Sequence, residues 1–252
     1  MALSHTYDTR VLCPAAAAGA AVQSVLLGLL GAVIGLGPAG WLTGLAFTVG
    51  TCALLTRALR RSWHRPFGPA NGVTLARTML VGGVTALVAD SFVSPPPVAV
   101  LVALTVVALA LDAVDGQVAR RTGTESPLGA RFDMEVDAFL ILVLSVYVAM
   151  SLGAWVLLIG VMRYVFVAAA RALPWLNGPL PPSMARKTVA AMQGIVLLVA
   201  AADVLPLLAA HTAVLVALVL LVWSFGRDIR WLWRVRVREC APVVRDTMHE
   251  RV

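Results

Sequence analysis

Charge is what this chain has least of. Of its 252 residues only 13% are charged, whereas 60% are hydrophobic and the mean hydropathy is +0.88. A soluble domain carries about 25% charged residues, so the deficit excludes an ordinary water-soluble fold and points to a bilayer. Cysteine is scarce as well. Cys13, Cys52 and Cys240 are far apart, with no CxxC spacing or Cys/His pairing, which argues against a disulfide framework or zinc site and leaves ordinary buried or interfacial thiols. Lys187 is the only lysine, so the net charge of +7 rests on arginine. Those arginines sit between apolar stretches and in the tail. The basic balance therefore implies membrane orientation and attraction to anionic lipid, not nucleic acid. No apolar leader is followed by a small-residue cleavage site and a polar domain, so no cleaved signal peptide is expected.

What is present is a succession of apolar runs. A membrane span needs about 20 such residues, and eight candidates fall near 15–37, 39–57, 71–90, 97–118, 128–150, 152–171, 187–204 and 211–226. Gly37-Pro38, Pro95-Pro96-Pro97, Gly153 and Pro206 break them. Continuous runs of this length exclude a transmembrane β-barrel, whose strands alternate. The expected fold is an all-α polytopic membrane protein. Arg57, Arg60, Arg61 and Arg65, then Arg120 and Arg121, then Arg171, Arg186 and Lys187, and finally Arg227 to Arg238 mark one set of loops. The alternate loops, around Pro38, Ser94, Gly153 and Pro206, contain no Lys or Arg. This positive-inside pattern predicts cytoplasmic termini in an inner or plasma membrane. Residues 172–185 read as a cytoplasmic loop. The stretch 227–238 reads either as an interfacial helix or as a solvated tail with Trp anchors.

Six of the thirteen acidic residues fall between Asp112 and Asp137. Four of them, Asp112, Asp115, Asp133 and Asp137, lie inside apolar helical sequence, where ionisable groups are costly and usually functional. A turn of solvated carboxylates would suit Glu125 but not Asp112 or Asp137. Asp112 and Asp115 are spaced i, i+3, and Asp133 and Asp137 are spaced i, i+4, so each pair shares a helix face. The short linker Arg121–Pro127, with Ser126 as N-cap and Pro127 at the first helical position, makes the two helices antiparallel neighbours. Four carboxylates can then converge just below the cytoplasmic surface, with no lysine near. They need cations to stay ionised together, and all-oxygen donors suit Mg2+, Mn2+ or Ca2+. Two divalent ions clamping a phosphoanhydride are the usual reason for such a site. Gly116, Ala119 and Gly129 keep the acidic faces free of bulk.

Asp112-x-x-Asp115-Gly116-x-x-Ala119-Arg120, eight residues, Gly129, three, Asp133, three, Asp137 resembles the complete signature of the CDP-alcohol phosphotransferase family. Asn71-x-x-Thr74-x-x-Arg77 is similar to that family's first core helix. The resemblance implies a six-span core, here within residues 61–230, preceded by a two-helix extension of unassigned role at 1–60 and followed by a basic tail at 231–252. It implies transfer of a phosphatidyl group from CDP-diacylglycerol to a hydroxyl acceptor with release of CMP. It also implies a homodimer and two divalent cations, Mg2+ or Mn2+. Asp112, Asp115, Asp133 and Asp137 would hold the metals, and Asp137 would also act as general base. Asp112, Asp115, Gly116, Ala119, Arg120, Gly129 and Asp133 would bind the CDP moiety.

Arg163, Arg171, Arg186 and Lys187 are the candidates for holding a phosphate on the acceptor, such as glycerol 3-phosphate or an inositol phosphate. The sixth span resembles the Arg-Glu…Arg helix of phosphatidylglycerophosphate synthases, with Tyr164 in place of Glu. Arg163 has a second reading, as an ion-pair partner of the acidic cluster. An intramembrane prenyltransferase is a rival function, but its Asn-Asp opening and later third Asp fall here on Leu111 and Ala119. A cation transporter explains buried aspartates but not the spacing of Gly116, Ala119 and Gly129.

Overall fold

A computed structural model of the protein describes residues 12–61, 69–122, 127–178, 180, 181 and 183–249. Of these, the side chains of 12–15, 58–61, 69–71, 115–122, 127, 128, 131 and 238–249 are outside the description. The described chain is helical, with no strand among the described residues. Helix α1 runs Leu12–Ile34, α2 Pro38–Arg61, α3 Pro69–Asp90, α4 Val98–Thr122 and α5 Pro127–Leu152. Helix α6 runs Leu157–Ala172, α7 Met184–Ala201 and α8 Leu207–His249. Short 3-10 turns occupy Ala154–Val156 and Pro174–Asn177. Among the described residues, seven helices are long and apolar enough to cross a membrane, and Val98–Val114 of α4 is a shorter apolar stretch. The protein is an all-α polytopic membrane protein, as its hydropathy requires.

The chain divides into two units, residues 1–143 and 144–252, the divide falling within α5. In the first unit α1, α2 and α4 all pack on α3. The α3 span is 61% buried, against 22% for the spans of α1 and α2. Its hydroxyls are satisfied within the helix: Thr78 and Thr85 donate to the carbonyls of Thr74 and Val81, both at 2.7 Å, as polar groups away from water must be. The α1–α2 turn is set by Gly35 at φ 70 and by Pro38 at the start of α2. Beside it, the Gly37 N–H donates to Asp90 Oδ2 at 3.2 Å. A Cβ at Gly37 would collide with that carboxylate. The last residue of α3 thus ties down the turn between the first two helices.

In the second unit α7 packs on α8, and Gln193 Nε2 donates to the carbonyl of Ala217 at 2.9 Å. Two expectations gain detail here. Residues 172–185 join α6 to α7 as the expected loop, and part of that loop is ordered. Pro174–Asn177 turns as 3-10 helix, Asn177 Nδ2 donates to the Ala170 carbonyl at 2.7 Å, and Leu176 packs with Ala170 and Leu232. The helix that carries the eighth span runs on through 227–238, in line with the helical reading of that stretch. Helix α8 continues for 43 residues, roughly 65 Å at 1.5 Å per residue and about twice the hydrocarbon thickness. No Gly or Pro interrupts residues 227–238, so nothing in that sequence ends the helix.

Candidate active site

Three of the four sequence-selected aspartates come together in the first unit. Asp112 lies in α4, and Asp133 and Asp137 lie in α5. One carboxylate oxygen of each lies within 4.8 Å of those of the other two. The group that gathers them is Arg77 of α3. Its Nη1 pairs with Asp112 Oδ1 and with Asp133 Oδ1, the latter at 2.8 Å, while its Nη2 reaches Asp137 Oδ1 at 3.0 Å. Nη2 also donates to the backbone carbonyl of Asp133 at 3.1 Å. Arg77 thereby ties three helices at one point.

Burial is unequal across this cluster. The Arg77 side chain is 1% exposed, whereas those of Asp112, Asp133 and Asp137 are 39%, 34% and 38% exposed. The cation approaches from the protein side and the acids remain accessible on the other. A buried guanidinium requires such partners, because an unpaired charge away from water is strongly unfavourable. The sequence placed Arg77 only within a family-like first helix. It identified no cation for the acidic cluster beyond the alternative of Arg163, and the signal that bore on it was an arginine inside an apolar span.

The donor set fits a hard divalent cation. It is all oxygen and comes from two helices. Against one guanidinium the three described carboxylates leave a net charge of −2. Each Arg77 pair uses an Oδ1 atom, and a carboxylate can bridge a guanidinium and a metal through its two oxygens. Asp115, Gly116, Ala119 and Arg120 lie along α4, but their side chains are outside the described residues. Ser126 is also outside them, though α5 does begin at Pro127. Gly129 lies two turns before Asp137 on α5.

The candidate acceptor residues lie in the second unit. Arg163 is half-buried in α6, and Arg171 is exposed in its last turn. Lys187 is exposed, and Arg186 is held at the start of α7. Arg186 Nη1 pairs with Asp228 Oδ2 at 3.2 Å, and its Nη2 donates to the Pro181 carbonyl at 3.0 Å. Arg227 Nη2 donates to Ser183 Oγ at 2.9 Å and lies 3.4 Å from Asp228 Oδ1. The fold therefore joins Arg186 to Arg227 through Asp228. Arg227 and Asp228 were not foreseen as members of one group with Arg186, since 42 residues separate Arg186 from Asp228.

Comparison with known proteins adds one finding. Residues 68–223, more than half the chain, match the family model of CDP-alcohol phosphatidyltransferase. The match opens just before α3 and takes in the acidic helices, while α1 and α2 precede it. No curated protein and no solved structure matches the chain. Helices long enough to cross a bilayer, carboxylates drawn together from α4 and α5, and a family match that covers both lead to one conclusion: the chain belongs to the CDP-alcohol phosphatidyltransferase family and is a membrane-embedded phosphotransferase.

Proposed function

We propose that the enzyme moves a phosphatidyl group from CDP-diacylglycerol to a hydroxyl acceptor that carries a phosphate of its own, such as glycerol 3-phosphate or an inositol phosphate, and releases CMP. The observation that carries this reading is the convergence of Asp112, Asp133 and Asp137 on one accessible face above a buried Arg77. Two Mg2+ or Mn2+ ions held by these three and Asp115 would supply charge neutralisation for the pyrophosphate and for the departing CMP.

The remaining chemistry belongs to the chain's own residues. Asp137 accepts the proton of the acceptor hydroxyl as its oxygen bonds to the phosphatidyl phosphorus. The P–O bond to CMP breaks, and the electron pair leaves on the CMP phosphate. Arg77 keeps Asp133 and Asp137 in fixed relation through paired contacts to both, so the base does not swing away. Gly116, Ala119 and Gly129 offer backbone approach to the cytidine and ribose, and Arg120 adds a charge for the donor phosphates. Arg163, Arg171, Arg186 and Lys187 supply the acceptor phosphate site, with Arg227 joined to Arg186 through Asp228.

In this reading residues 61–230 form the catalytic core, 1–60 a two-helix extension and 231–252 a basic tail. Both termini and the acidic site face the cytoplasm, following the arginine-rich loops, and two copies form a homodimer. The test is CMP release from CDP-diacylglycerol by purified protein with Mg2+, screened against glycerol 3-phosphate, inositol phosphate, inositol and serine. Release that requires a phosphorylated acceptor and stops with chelator is the expected result. Preference for serine or free inositol would remove the acceptor-phosphate reading and leave the donor reading intact.

A further inference from the structure

Helix α8 carries two faces that differ along their whole described length. Val214, Ala217, Leu221, Ser224 and Leu232 are buried on one. Leu215, Val216, Val219, Val222 and Trp223 are exposed on the other. At 100° per residue, Arg230 and Arg234 continue that second face, and both are exposed. From Leu207 to Gly226 the helix rises roughly 30 Å, the thickness of the hydrocarbon core. A span that opens at Leu207 therefore closes near Gly226, just past Trp223, and puts Arg230 and Arg234 one to two turns beyond it, at headgroup level.

The chemistry at that level is concentrated. Val222, Trp223, Gly226, Arg227, Arg230 and Arg234 line a cavity of about 400 Å3, within the range of small-molecule sites. Arg227 stacks over Trp223 at 5.2 Å, and Arg236 lies over Trp175 and Trp233 at 5.8 and 5.7 Å. The acid on this part of α8, Asp228, is engaged by Arg186 and Arg227. Arg230 and Arg234 make no ion pair among the described residues. Two guanidiniums without an acidic partner among the described residues thus stand one turn apart, directly above an exposed apolar strip.

We propose that this outer face of α8 is a binding site for an anionic phospholipid. The acyl chains lie along Leu215, Val216, Val219 and Val222, and the phosphate is clamped between Arg230 and Arg234 beside the Trp223 ring. From Leu215 to Gly226 the rise is roughly 16 Å, about half the hydrocarbon thickness and so the depth of one leaflet. A guanidinium pair suits a phosphate in bidentate geometry better than two ammonium groups would. Among the described residues the site is made from α8 alone, and it stands apart from the assignment of the aspartates.

The experiment reconstitutes the full chain in phosphatidylcholine nanodiscs doped with a photoactivatable phosphatidylglycerol, and maps the label by proteolysis and mass spectrometry. Label is expected within residues 215–237. Unlabelled phosphatidylglycerol should compete at least about tenfold better than phosphatidylcholine, at roughly a kilocalorie per arginine. Arg230→Gln with Arg234→Gln should abolish that preference at an unchanged unfolding temperature. In the wild-type chain the preference should fall as salt rises, a readout that does not depend on the variant folding. Displacement of the label by millimolar inorganic phosphate or glycerol 3-phosphate would mean a soluble-phosphate site and overturn the proposal. So would an undiminished preference in the double variant, a CDP-diacylglycerol KM raised by it, or cross-links joining two α8 helices across this face.

Discussion

The aspartate cluster and the basic end of α8 both depend on arginine, and they use it in opposite ways. Arg77 is 1% exposed and surrounded by three carboxylates from two other helices. Arg230 and Arg234 are exposed and have no acidic partner among the described residues. Burial decides the difference. A guanidinium enclosed by apolar helices is tolerable only with anions fixed around it, and so becomes part of the framework. A guanidinium at the bilayer edge keeps its hydration and remains available to a diffusing anion. The charge that organises one region is thus the charge that the other can offer to a ligand.

The sharpest way to break this contrast is at Arg77. Arg77→Ala leaves three carboxylates facing one another with their shared cation gone. The expected loss of stability is about 3 kcal/mol, at the low end for a broken buried pair because the acids are partly exposed. Thermal unfolding in a fixed detergent should reveal it, and turnover should be lost with it. Arg77→Lys should recover only part of either, since an ammonium group cannot hold the same fork of contacts. A variant of near-normal stability would show that Arg77 does not organise the cluster.

The next effect is chemical. Asp112→Asn or Asp133→Asn should lower turnover at least about a hundredfold, since even changes behind a metal's direct ligands can cost 10–100-fold. Metal dependence, measured as CMP release against Mg2+ or Mn2+ concentration, should shift in the same variants. Turnover within a few-fold of normal in either one would sink the metal-site reading.

In the second unit the expected changes are in binding. Arg163→Ala or Arg171→Ala should raise the acceptor KM by about ten- to a hundredfold, the worth of one charge-assisted hydrogen bond. The KM for CDP-diacylglycerol should hardly move. A change confined to thermal stability, with no substrate present, would instead assign Arg163 a structural ion pair.

The smallest effect is expected at the far end of α3. Asp90→Ala removes the acceptor for the Gly37 N–H, at a cost of about 1 kcal/mol. Unfolding should shift slightly while both KM values stay put. A large loss of turnover would mean that the α1–α2 turn helps to position Arg77 at the other end of the same helix.

Much of this was legible in the residues. The apolar runs placed α1 to α7 to within a few positions, because a span is defined by its own length and hydropathy. The spacing of Asp112, Asp133 and Asp137 anticipated their approach, since i, i+3 and i, i+4 pairs must share faces and the connecting linker is short. Arg77 as the shared counter-ion was not legible. An arginine in a span announces that it needs an anion but does not say which, and its partners lie 35 or more residues away. The 3-10 turn at Pro174–Asn177 is not legible in the sequence for a similar reason. Its order depends on Leu176 meeting Ala170 and Leu232, a contact made only after α6 and α8 come together.

By itself, then, the sequence determined that the chain lives in a bilayer, where its helices begin, and which carboxylates share a helical face. These follow from hydropathy and helical periodicity, which act over one element at a time. Tertiary structure alone decided which cation answers those carboxylates, how Arg186 and Arg227 meet across Asp228, and which face of α8 is left uncovered. Each of those is a meeting of residues from different helices, or its absence. Helix packing sets such meetings through shape and burial summed over many side chains, which no single stretch of sequence contains.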